Sequence, residues 1–132
     1  VVTADKLSDK ADVKECDIDN IEEQNMILDI GKNTVKLIKN EISKSKTVFW
    51  NGPLGVFETS PFDRGTVEIA KFISNLTANN KIRSFAGGGD TISALDLAGV
   101  KDNFSYVSTG GGALLELIEG KKLPGLVALG IL

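Results

Sequence analysis

Two runs of three consecutive glycines, in "SFAGGGDTIS" and "YVSTGGGALLE", constrain this chain more than any other feature. Glycine forfeits more backbone entropy on folding than any other residue, so a triple is costly unless the backbone must turn tightly or approach something closely. Each triple follows a short β-rich segment, "IRSFA" or "FSYVST", and precedes a helical one. "TVFWN" leads in the same way through the loop "GPLGVFETSP" into a helix. Strand, glycine-bearing loop and helix in succession, three times over, imply an α/β fold: a Rossmann-like open parallel sheet with helices on both faces and right-handed crossovers. All three loops then lie at the carboxyl end of the strands, where ligands of open α/β sheets bind.

The other elements follow from periodicity. "VVTAD" reads as the end of a strand at the truncated, N-terminal side of that same sheet. Residues 9–23 carry seven acidic residues (Asp9, Asp12, Glu15, Asp17, Asp19, Glu22, Glu23) and two lysines, and read as a solvated loop. Val35, Ile38 and Ile42 predict an amphipathic helix over residues 33–43. Ser60, Pro61 and Asp63 open the next helix in the manner of a capping box, and Ile69, Phe72, Ile73 and Leu76 form its buried face. Asp90 is placed to cap a helix running to Ala98. "ALLELIE" is apolar almost all round, which predicts a buried helix ended by Gly120. The tail "LPGLVALGIL" shows no helical period and reads as an irregular segment on a surface.

A side-chain-free loop can present amide N–H groups to a ligand, and a helix starting there adds partial positive charge, so anionic oxygens are natural guests. The same glycines also permit tight turns and close helix-to-sheet packing. Neither triple matches G-x-x-x-x-G-K-[ST] or G-x-G-x-x-G, which argues against a P-loop or a dinucleotide fingerprint. Asp90, directly after the first triple, suits either a helix cap or a magnesium ion bridging phosphates.

Composition narrows the chemistry. The 132 residues contain no histidine, which removes Ser-His triads and the common zinc sites, and the single cysteine, Cys16, can form no internal disulfide. A net charge of -3 disfavours a nucleic-acid partner. No apolar run approaches the ~20 residues of a membrane span, and the expected compartment is the cytoplasm.

"VFWNGPLGVFE", "FAGGGDT" and "VSTGGGALLELIEGKKLPG", in this order and spacing, resemble the C-terminal nucleotide-binding lobe of the phosphoglycerate kinases, and "VVTAD" and "MILDIG" fit as well. The resemblance implies a two-lobed enzyme that transfers a phosphoryl group between ATP and 3-phosphoglycerate with Mg2+. It implies that Asn51 and the loop of Gly87, Gly88 and Gly89 face the nucleotide phosphates, that Asp90 takes the magnesium ion, and that Thr91 helps at the phosphate chain. Glu58 would bind the ribose hydroxyls, Leu28, Pro53, Leu54 and Gly55 would line the adenosine side, and Gly110, Gly111 and Gly112 would direct amides at the transferring phosphoryl group.

Lys32 stands where the family usually has proline. The family's sugar-phosphate lobe, with its basic patch and catalytic arginine, and the lysine-bearing first half of the nucleotide lobe have no counterpart in the 132 residues. The chain is therefore expected to be the C-terminal part of the nucleotide-binding domain of a two-domain kinase. It would supply the ATP/ADP and Mg2+ side, reach 3-phosphoglycerate only through the N-terminal domain, and be inactive alone. The parent is expected to be monomeric and the piece to self-associate. A stand-alone nucleotide-binding module and an inert folded fragment are the alternative readings.

Overall fold

A computed structural model describes residues 1–131. Two small sheets share the chain. Val2–Ala4 (β1) pairs antiparallel with both Val13–Glu15 (β2) and Met26–Asp29 (β3), in the order β2-β1-β3. The first strand is thus real but lies in its own antiparallel sheet, not at the edge of the parallel one. The reason is the acidic stretch: it folds back so that Val1 and Cys16 exchange main-chain bonds at 2.8 and 3.1 Å. All three residues of β2 are exposed, so no alternation of apolar and polar residues marked it. A 3-10 turn, Ile18–Asn20, follows β2 within the acidic segment.

From β3 onward the chain alternates. Lys32–Lys44 (α1) buries Val35 and Ile42 and leads to Thr47–Asn51 (β4). Arg64–Ala78 (α2) begins three residues later than the capping pattern implies: Asp63 has helical backbone angles and makes no side-chain cap bond, and residues 60–63 form turns. Its buried face contains Ile69 and Ile73, with Phe72 and Leu76 packed at the margin. Arg83–Gly87 (β5), Gly89–Leu97 (α3), Tyr106–Ser108 (β6) and Gly112–Ile118 (α4) complete the series.

β4, β5 and β6 form the parallel sheet in that order. The row Trp50–Ala86–Val107 faces a core shared with α1, α2 and α3, in which Ile73 and Leu95 are fully buried. Each such side chain contributes roughly 1.5–3 kcal/mol of burial. The alternate row, Phe49–Phe85–Tyr106, points to the opposite face. There α4 covers only the carboxyl end, with Leu114 against Gly87. Helices therefore stand on both faces, unequally, and Phe49 and Tyr106 are left 41% and 53% exposed.

This inequality overturns the burial expected of "ALLELIE". No residue of α4 is buried, because no further layer packs on it, and Ile118 is 61% exposed. Its end does follow expectation: Gly120, at φ 82°, lets Lys121 and itself donate to the carbonyls of Glu116 and Leu117. The tail is not irregular throughout, since Pro124–Ala128 (α5) forms a short exposed helix with proline in its first turn. Leu132, the last residue of that tail, lies outside the described residues. No helix among the described residues is long and apolar enough to cross a membrane.

Candidate functional site

The parallel register places Asn51 opposite Gly87 and Gly87 opposite Ser108. With strands about 4.8 Å apart, the loops leaving β4, β5 and β6 lie within roughly 10 Å of one another along the carboxyl edge. The two glycine triples and Asn51, separated by up to some sixty residues in the chain, are brought together by this register.

Gly88 occupies φ 98°, a region that penalises any Cβ, and a Cβ there would stand 2.9 Å from the Asn51 Oδ1 and 3.4 Å from the Thr91 Oγ1. The first triple is glycine at this position for both reasons. Gly88, and not Asp90, is the N-cap of α3; Asp90 sits in the first turn, exposed, and makes no capping bond. The opening N–H groups of a helix have no intrahelical partner, and here they face the same edge as the exposed Gly89, around whose missing Cβ there is open space within 4 Å. Thr91 is 1% exposed, and its hydroxyl oxygen accepts the Gly52 amide at 2.7 Å. That bond ties the loop after β4 to α3 and leaves the hydroxyl proton to be donated.

The second triple is less uniform. The Gly110 amide is turned inward, donating to the Ser108 Oγ at 3.2 Å. Gly111, at φ 55°, caps α4, and both it and Gly112 have open space where a Cβ would be.

A separate set of bonds assembles the side where adenosine was expected. The Leu28 carbonyl accepts the Val56 amide at 2.9 Å, and the Thr66 hydroxyl accepts the Leu54 amide at 3.0 Å. Leu28 is buried, and Pro53, Leu54 and Gly55 are half-buried beside it in the loop that leads to α2. Glu58 stands exposed just after the buried Phe57. At the centre is a residue that no motif of the sequence singles out. Asp29 is 3% exposed, its Oδ1 accepts Ile30 N–H at 2.8 Å, and its Oδ2 accepts Gly65 N–H at 2.7 Å. Burial pushes its carboxyl above the ordinary value, the two amides pull it back in part, and nearby Asp63 adds to the rise. A carboxylate inside the otherwise apolar "MILDIG" was the available signal.

A cavity of about 680 Å³ lined by Lys46, Lys81 and Arg83 lies by the other ends of the strands. Among the described residues no group of three or more His, Cys, Asp or Glu side chains could hold a metal ion. One exposed carboxylate, Asp90, beside unpaired amides suits a magnesium ion that takes its other ligands from phosphate oxygens and water.

The family model described as phosphoglycerate kinase matches residues 1–121. The phosphoglycerate kinase of Chelativorans sp. (strain BNC1) is 50% identical over 97% of this chain and 32% of its own length. That of Bartonella henselae is 54% identical over 86% of this chain and 28% of its own. The solved phosphoglycerate kinase of Coxiella burnetii superposes with a TM-score of 0.85 at 41% identity, covering 92% of this chain and 30% of that one. The chain thus spans about a third of the length of the relatives it matches, and over that span it belongs to the phosphoglycerate kinase family.

Proposed function

We propose that the chain forms the nucleotide side of a phosphoglycerate kinase, holding ATP or ADP with Mg2+ on the shelf at the carboxyl edge of the parallel sheet. The observation that supports this most is the register that sets Asn51, Gly87 and Ser108 side by side, so that both glycine triples open onto one edge. Amides of Gly88, Gly89 and Asp90, with the positive end of α3 behind them, meet the phosphate oxygens. Asn51 and the Thr91 hydroxyl proton add donors, and Asp90 holds the magnesium ion, which supplies charge neutralisation at the phosphates. Amides of Gly111 and Gly112, in the loop that Gly110 opens with its own amide held by the Ser108 hydroxyl, serve the transferring phosphoryl group. Glu58 accepts from the ribose hydroxyls, and Leu28, Pro53, Leu54 and Gly55 line the adenosine.

Phosphoryl transfer between ATP and 3-phosphoglycerate suits a site without histidine. The nucleophile is a carboxylate of the sugar acid or a terminal oxygen of ADP, both ionised at neutral pH, so alignment and charge stabilisation replace a general base. The 3-phosphoglycerate site belongs to an N-terminal domain. The whole protein works in glycolysis as a cytoplasmic monomer, and this part of it, the C-terminal portion of the nucleotide-binding domain, does not turn over alone.

Titration calorimetry with ADP, with and without Mg2+, tests the reading. The chain is expected to bind Mg-ADP weakly, Asp90→Ala to abolish the gain from magnesium, and a coupled assay with 3-phosphoglycerate to show no turnover. Binding that is indifferent to magnesium in both proteins, or turnover that co-purifies with the chain, contradicts it.

A further inference from the structure

Among the described residues Asp29 is the single charged one in the buried set, and its hydrogen bonds go to neither glycine triple. It stands where three segments meet: the end of β3 that carries Leu28, the loop of Pro53, Leu54 and Gly55, and the start of α2. Its two oxygens accept the amides of Ile30 and Gly65. A Cβ on Gly55 would collide with Asp29 Oδ1 and the Phe62 carbonyl, and one on Gly65 would lie 2.5 Å from the same Oδ1. The loop and the helix start are therefore glycine at their points of contact with the carboxyl. Two further bonds complete the closure, from Val56 N–H to the Leu28 carbonyl and from Leu54 N–H to the Thr66 hydroxyl.

We infer that Asp29 is a positioning residue that sets the spacing between Leu28 and the Pro53–Leu54–Gly55 loop, and so governs recognition of the adenosine part of the nucleotide and not of its phosphates. The inference rests on the nucleotide reading of the shelf. Its physical ground is that a buried carboxyl is unfavourable unless its oxygens are satisfied, so the amides of Ile30 and Gly65 must remain where they are. Asparagine cannot do the same, because its NH2 group would face one of those N–H donors. A shift of the α2 start would carry Thr66, and with it Leu54, away from Leu28. The phosphate shelf is held independently, through the bond from Gly52 N–H to Thr91.

The test compares two probes, Mg-ADP and magnesium tripolyphosphate, by amide-shift titration of the 132-residue chain and of Asp29→Asn. Asp29→Asn is expected to lower Mg-ADP affinity on the order of tenfold while tripolyphosphate affinity stays within about twofold, a split that general destabilisation does not produce. Equal loss for both probes, or no loss for either, overturns the inference. If Asp29→Asn lacks the dispersed spectrum of a folded chain, Thr66→Val releases the Leu54 amide from the same assembly and is held to the same split. A wild-type chain that binds neither probe overturns the nucleotide reading itself and the inference with it. Binding of tripolyphosphate alone overturns the inference and spares the phosphate shelf.

Discussion

The Thr91 hydroxyl accepts the backbone amide of Gly52 at 2.7 Å, which bolts the first turn of α3 to the loop that leaves β4. Thirty-nine residues separate the two in the chain, and this bond makes two of the three loops one surface. Thr91→Val keeps the shape of the side chain but strands the Gly52 N–H, with an expected loss of about 1–3 kcal/mol of stability. Urea unfolding of the two proteins measures it, and a change below about 0.5 kcal/mol means that the bond contributes little.

Glycines 88 and 89 are neighbours with opposite expectations. Gly88→Ala forces a Cβ into φ 98° and to 2.9 Å from the Asn51 Oδ1, and should cost at least about 1 kcal/mol. Gly89→Ala meets open space at the first position of α3 and should be neutral or stabilising by up to about 1 kcal/mol. Equal effects in thermal unfolding count against the described geometry.

Much of this was legible beforehand and some was not, for physical reasons. α1, β4 and the strand-loop-helix series were readable because their burial imposes a period on the sequence. Strand partnership leaves no such local trace: "VVTAD" reads as β but says nothing of whether it pairs with β3 or with β4. β2 escaped notice because its side chains face water. α4 is exposed although "ALLELIE" is apolar enough to be buried, because the face it sits on has no further covering layer. The loops at the carboxyl edge announce themselves by their glycines. Asp29 does not, since the partners that give it a role, Gly55 and Gly65, lie far along the chain.

Asp29 also predicts a pH dependence. A carboxyl raised on folding contributes its stability below the unfolded value, about 3.9, and loses it as pH rises through the higher folded value. The stability difference between wild type and the non-titrating Asp29→Asn should therefore be larger at pH 4 than at pH 7. Paired urea titrations at the two values check the sign, and a difference that grows toward neutral pH contradicts it.

Self-association is expected to centre on the exposed face of the parallel sheet, where Phe49 and Tyr106 stand in register across Phe85 and β4 presents an unpaired edge. Tyr106→Glu should shift sedimentation toward monomer at high concentration and leave the fold intact. A wild-type chain that is monomeric throughout the same concentration range rules this out.

The most direct measurement is an amide-resolved titration of the chain with Mg-ADP. The largest shifts should cluster at Asn51, Gly87 to Thr91 and Gly110 to Gly112, with smaller ones at Leu28 and Leu54. Shifts that gather instead around Lys46, Lys81 and Arg83, at the opposite end of the strands, would show that the carboxyl edge is not the nucleotide site.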